Sequence, residues 1–195
     1  MAVTGLLLLL FAIFHMLGHL QVFGGRAMYN GYAKFLQDLW EVKWPTRAGL
    51  LALLFLHVGL AIALVSRNRA ARPQGYAMFR PVTSSRIGRT MAFSGLVVFA
   101  FLAFHIWHFT IHPRADHDTY AMYVGAFRDP LTYGVYLAGI ALLAAHLGHG
   151  ASSWLQSLGW RHPKYPADKI GPVVAVGLFV GYMLPPTAAL VGLVS

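Results

Sequence analysis

The chain has 195 residues, 57% hydrophobic and 11% charged, with a formal net charge of +9 and no cysteine. Soluble domains carry about 25% charged residues, so this composition excludes an ordinary soluble fold. The missing cysteine excludes disulfides, iron–sulfur ligation and covalent haem attachment within the chain.

The apolar residues come in blocks of roughly 20, the length a helix needs to cross about 30 Å of hydrocarbon. The expectation is an all-α membrane protein. Residues 1–195 form a single membrane domain, with five transmembrane helices near 3–23, 47–65, 91–111, 131–150 and 170–194. The first block is too long, and too similar to the others, for a cleaved signal peptide. After it, residues 24–46 interleave Tyr29, Tyr32, Phe35, Leu36, Leu39 and Trp40 with Asn30, Lys34, Gln37, Asp38 and Glu41. That pattern predicts a short amphipathic helix at the membrane interface. Arg72-Pro73 and Arg80-Pro81 break helix between the second and third spans, and Gly159 and Pro163 punctuate the loop after the fourth. Pro185-Pro186 falls inside the fifth span. A stop at Leu184 would leave about 15 residues, roughly 22 Å, so the helix is expected to kink and continue. This span has no histidine and is expected to pack outside the functional core.

The basic residues are sorted by loop, which points to topology rather than nucleic-acid binding. Arg67, Arg69, Arg72, Arg80, Arg86, Arg89, Arg161, Lys164 and Lys169 share one side with a single acid, Asp168. On the other side Arg26, Lys34, Lys43, Arg47, Arg114 and Arg128 are balanced by Asp38, Glu41, Asp116, Asp118 and Asp129. The positive-inside rule therefore puts the amino terminus in the cytoplasm and the carboxyl terminus outside a cytoplasmic membrane. The basic face also suits a soluble partner or anionic membrane lipid.

Four spans each carry a histidine: His15, His57, His105 and His146. A polar ring in a membrane interior is expensive, which makes each one a functional-site hypothesis. Thr4-Gly5 precedes His15 as Ser94-Gly95 precedes His105, so these two stand at similar depth on helices running the same way. Depth pairs His15 with His105 and His57 with His146. Gly18, Gly59, Ala103, Ala145 and Gly148 leave room nearby for helices or a flat macrocycle. Two neutral imidazoles facing each other across a bundle are what a six-coordinate haem iron takes. The plainer alternative is that each ring hydrogen-bonds to a neighbouring helix and does nothing more. A zinc or proton transporter is a further alternative, but all six acids lie in loops, against a carboxylate relay. His19, His108 and His149 stand one turn beyond His15, His105 and His146. They are candidate contacts to haem propionates or a quinone, or the ligands themselves if the register shifts by a turn. His112, His117 and His162 read as interfacial polar residues.

A wider pattern joins these residues. It runs from Thr4-Gly5 to Phe14-His15-Met16-Leu17-Gly18, and from Leu56-His57-Val58 to the basic run Arg67-Asn68-Arg69-Ala70-Ala71-Arg72-Pro73. It continues through Ser85-Arg86, Arg89-Thr90-Met91, Ser94-Gly95 and His105 to His146-Leu147-Gly148-His149-Gly150, Trp154 and Gln156-Ser157-Leu158-Gly159-Trp160. In order and spacing, over essentially its whole length, the chain resembles the cytochrome b membrane anchor of succinate dehydrogenase and fumarate reductase, in the five-helix dihaem branch. The resemblance implies two haem b groups, the distal held by His15 and His105 and the proximal by His57 and His146. It implies an FAD-containing flavoprotein and an iron–sulfur subunit on the cytoplasmic face, electron transfer to menaquinone or another quinone, and a complex that can form higher oligomers. Some relatives carry a glutamate two residues before the fourth-helix ligand, where this chain has Ala144, so their proton coupling is not expected here. A distal quinone site, placed by a glutamate in some relatives, falls locally on Gln37, Asp38, Trp40 or Glu41. Many relatives begin further upstream of the first helix, which leaves room for a native start before Met1. Other readings are a haem-poor structural anchor of the same complex, and a haem b subunit of a hydrogenase or formate dehydrogenase.

Overall fold

A computed structural model describes residues 1–71, 90–112, 118–159 and 167–195. Helix α1 (Ala2–Leu20) passes through a 3-10 turn (Gln21–Gly24) into α2 (Gly25–Asp38), and α3 covers Trp40–Ala70. Helix α4 (Met91–Ile106) ends in a π turn (Trp107–Ile111), followed by α5 (Thr119–Arg128), α6 (Pro130–Ser157) and α7 (Ala167–Leu190). There is no strand among the described residues. Five helical stretches are long and apolar enough to cross a membrane, and they coincide with the five expected spans.

The ends differ from expectation. The amphipathic segment is helical, but only a 3-10 turn separates it from α1, and Gly25 at φ +83° redirects the chain there, a conformation glycine adopts without strain. Residues from Trp40 onward belong to α3, because Leu39 (φ −74°, ψ 62°) is the sole break before it. Helix α5 was not anticipated, although its start is written in the chain. Asp118 accepts the Ala121 N–H at 2.9 Å. Asp129 accepts the Thr132 N–H at 2.8 Å one helix later, with Pro130 in the first turn. Both are N-cap signals. Helix α7 continues past Pro185-Pro186 to Leu190, as expected, and buries both prolines.

Helix α6 is central and packs against α1, α4, α5 and α7. Its crossing with α7 is close. A Cβ on Gly148 would stand 2.5 Å from the Gly171 carbonyl oxygen and 2.7 Å from the Ala175 Cβ. Small residues are how membrane helices approach this nearly, since lipid supplies no hydrophobic drive between them. Helix α3 is the opposite case. It packs on α1, α2 and α4 and buries no residue, leaving Leu51, Phe55, Leu56, Ile62 and Leu64 exposed on its surface.

Helices α2 and α5 lie against each other and close one end of the bundle. The Asn30 amide donates to Asp118 Oδ1 at 2.8 Å and accepts the Tyr120 N–H at 2.8 Å. Arg26 Nε is 3.3 Å from Asp118 Oδ2. The Ala121 N–H, then Asn30 and Arg26, hold the Asp118 carboxyl below its ordinary value of 3.8. Its ionised form is thus favoured in the folded state. Its contribution is complete above pH 3.8 and is lost as pH falls through the lower folded-state value. Two outcomes follow. Thermal melts in detergent across pH should show wild type more stable than Asp118→Asn at neutral pH, with the difference vanishing in acid. Gly148→Leu should cost about 1–3 kcal/mol by overpacking the α6–α7 crossing, read from the same melts at neutral pH.

Candidate functional site

The four expected histidines fall at two depths. One pair stands at the end of the bundle where α1 and α4 begin. Thr4 Oγ1 is 2.9 Å from His57 Nδ1, and Ser94 Oγ is 3.3 Å from His146 Nδ1. Each hydroxyl also donates to the carbonyl three residues earlier, Met1 O at 3.0 Å and Met91 O at 3.1 Å. Each ring lies over the next residue along α1 or α4. A Cβ on Gly5 would come within 3.3 Å of His57 Cε1, and one on Gly95 within 3.2 Å of His146 Cε1. His149 stands one turn beyond His146 on the same face of α6. His149 thus joins this group.

The second pair lies eleven residues further along the same two helices, roughly 16 Å at helical rise. The rings of His15 and His105 have centroids 5.9 Å apart and planes at 76°. One turn on, His19 Nε2 is 3.3 Å from His15 Nε2, while His19 Nδ1 is 2.9 Å from the Tyr29 hydroxyl. Tyr123 of α5 stacks on His19 at 5.2 Å. The buried Tyr136 hydroxyl of α6 lies 3.4 Å from His105 Nδ1 and 3.1 Å from His108 Nδ1. His108 sits in the π turn, a local unwinding often associated with functional sites. The closed end of the bundle therefore places four histidines and three tyrosines together under α2 and α5.

Helix α7 departs from its expected place outside this core. It packs against α1, brings the Tyr182 ring to 6.3 Å from His15, and donates the Tyr182 hydroxyl to Ala12 O at 2.6 Å. The absence of a histidine hid this, because the contact is made by a tyrosine.

Gln37, Asp38, Trp40 and Glu41 are all exposed at the α2–α3 corner. There Lys34 pairs with Asp38 at 2.7 Å and Lys43 donates to the Gln37 carbonyl at 2.8 Å. Trp40 and Trp44 meet edge to face at 5.5 Å, with the Lys43 ammonium 5.4 Å from the Trp40 ring centroid. These contacts tie the corner to itself and not to either histidine group. His112 is exposed after the π turn. His117, His162, Arg72, Arg80, Arg86, Arg89, Arg114, Asp116, Arg161, Lys164 and the prolines at 73, 81 and 163 lie outside the described residues.

Sequence reasoning missed the hydroxyl and phenol partners. Thr4 and Ser94 stood out as parts of a repeat, but nothing in the sequence says that their oxygens meet rings 53 and 52 residues away. Tyr29 reads as part of the interfacial amphipathic helix, and nothing in the sequence singles out Tyr136. Among the described residues no three His, Cys, Asp or Glu side chains converge as an ion site.

Tyr136→Phe keeps the ring packing and deletes the oxygen shared by His105 and His108. It should lower stability by about 0.5–1.5 kcal/mol, measured by melts of the purified protein. Comparison with protein-family models, curated proteins and solved structures found no match to this chain.

Proposed function

We propose that the chain is the dihaem cytochrome b anchor of a succinate:quinone oxidoreductase, carrying electrons between an iron–sulfur subunit and a membrane quinone. The observation that supports it best is the two-depth arrangement: one imidazole from each of two helices, twice, at levels roughly 16 Å apart by helical rise. His15 and His105 bring their rings together from two helices, with centroids 5.9 Å apart. A porphyrin brings its other donors with it and needs only two imidazoles from the protein, whereas a bare ion needs three or four converging side chains. Bis-histidine haem, when bound, supplies one-electron transfer with no open coordination position.

The roles of the residues follow. His15 and His105 would hold one haem under the α2–α5 cap, and His57 and His146 would hold the other at the opposite level. His19 is held by the Tyr29 hydroxyl at Nδ1 and lies beside His15. His108 shares the Tyr136 hydroxyl with His105 and helps fix that ring. The weak packing of α3 leaves one side of the bundle able to accept a flat macrocycle beside His57. In this reading the chain sits in the cytoplasmic membrane with its amino terminus inside. The basic inner loops meet the iron–sulfur and flavoprotein subunits, and succinate chemistry belongs to those partners.

A second reading, the haem-poor anchor, has its own support. Every one of the four histidines already has a neighbouring side chain in polar or ring contact. Purification of the intact complex with haem b quantified per chain, followed by a redox titration, separates the two. The expected result is two low-spin haems with distinct potentials. His57→Ala and His146→Ala should remove one spectral component, and His15→Ala and His105→Ala the other. Absence of haem from the intact complex would replace this proposal with the scaffold. A partner set without a flavoprotein would replace it with a haem subunit of another respiratory enzyme.

A further inference from the structure

The seats of His57 and His146 are built alike. In each, a β-hydroxyl on an outward-equivalent helix meets Nδ1 (Thr4 at 2.9 Å, Ser94 at 3.3 Å), and the following glycine lies beneath Cε1. The helices α1 and α3 therefore make one unit, and α4 and α6 repeat its ring seat. A Ser or Thr hydroxyl has one proton and two lone pairs. With the Thr4 proton on Met1 O at 3.0 Å and the Ser94 proton on Met91 O at 3.1 Å, each oxygen accepts from the imidazole and Nδ1 carries the hydrogen. Nε2 carries the lone pair on the far side of each ring. The other pair lacks this device: His105 shares a phenol with His108, and His15 meets another imidazole.

Resting on the dihaem reading, we infer that Thr4 and Ser94 are paired positioning residues, which hold His57 and His146 in the Nδ1–H tautomer and so leave Nε2 of each ring as the nitrogen that would bind a haem iron. Gly5 and Gly95 belong to the same device. A methyl group at either would press on Cε1 at 3.2–3.3 Å and tilt the ring. The hydroxyls do more than orient. A ligand imidazole that donates Nδ1–H to an oxygen is more basic toward its metal. This favours the ferric state and lowers the potential of that haem alone.

The test is a redox titration of the haems in the intact complex carrying Thr4→Val or Ser94→Ala. Each substitution is expected to raise the midpoint potential of one and the same component, leaving the other in place. The expected size is about tenfold in the ferric-to-ferrous ratio at fixed potential, or about 59 mV for one electron. Thr4→Ser and Ser94→Thr keep the hydroxyl and should titrate like wild type. Selective loss of that component in Thr4→Val, with its return in Thr4→Ser, supports the assignment equally. The assignment is overturned if both potentials stay put, if the two substitutions move different components, if the hydroxyl-keeping variants shift as far, or if both components vanish together. A wild-type complex without haem is a different result and removes the dihaem proposal itself.

Discussion

A polar ring inside an apolar bundle must find a partner or cost several kcal/mol, and that requirement organises this molecule. Among the described residues no buried side-chain nitrogen or oxygen lacks a hydrogen bond. Partners are supplied from neighbouring helices: hydroxyls of α1 and α4 for the rings of α3 and α6, and phenols of α2 and α6 for the rings of α1 and α4. Each bond ties two helices together at a defined height. The imidazoles thus set the register of the bundle as well as offering nitrogen donors.

Packing around this polar framework is uneven. Close approach through Gly148 and Gly171 joins α6 to α7, and the Phe101 ring of α4 lies directly on Gly139 of α6. Tyr29, Tyr123, Phe127 and Tyr136 form an aromatic cluster under the α2–α5 cap, with the buried Val22 among the core residues there. Helix α3 contributes nothing buried, and it holds its place through α1, α2 and α4. In lipid this exposure has little cost, because hydrocarbon solvates leucine as well as a protein interior does.

The legible and illegible features divide by range. The five spans could be read because each needs only its own apolar length, and the helix between Asp118 and Asp129 could have been, since its cap and the next one are local. The pairing of histidines by depth was also accessible, because rise per residue converts position along a span into height. The quinone candidates Gln37, Asp38, Trp40 and Glu41 rested on local similarity alone. In the fold they make an exposed corner with Lys34 and Lys43. Helix α7 was placed too far out for a related reason: histidine content says where donors are, not which aromatic rings approach them.

By itself the sequence determined an all-helical chain with five segments able to span a membrane, and the heights at which its imidazoles stand. Those follow from hydrocarbon thickness and helix geometry, which act on each segment separately. Tertiary structure alone decided that Thr4 meets His57, that Ser94 meets His146, that Tyr136 serves two histidines, and that α2 and α5 join through Asn30 and Asp118. Those contacts depend on the rotation of each helix about its own axis. Rotation is settled only when all the helices pack at once and every buried polar atom must be satisfied together.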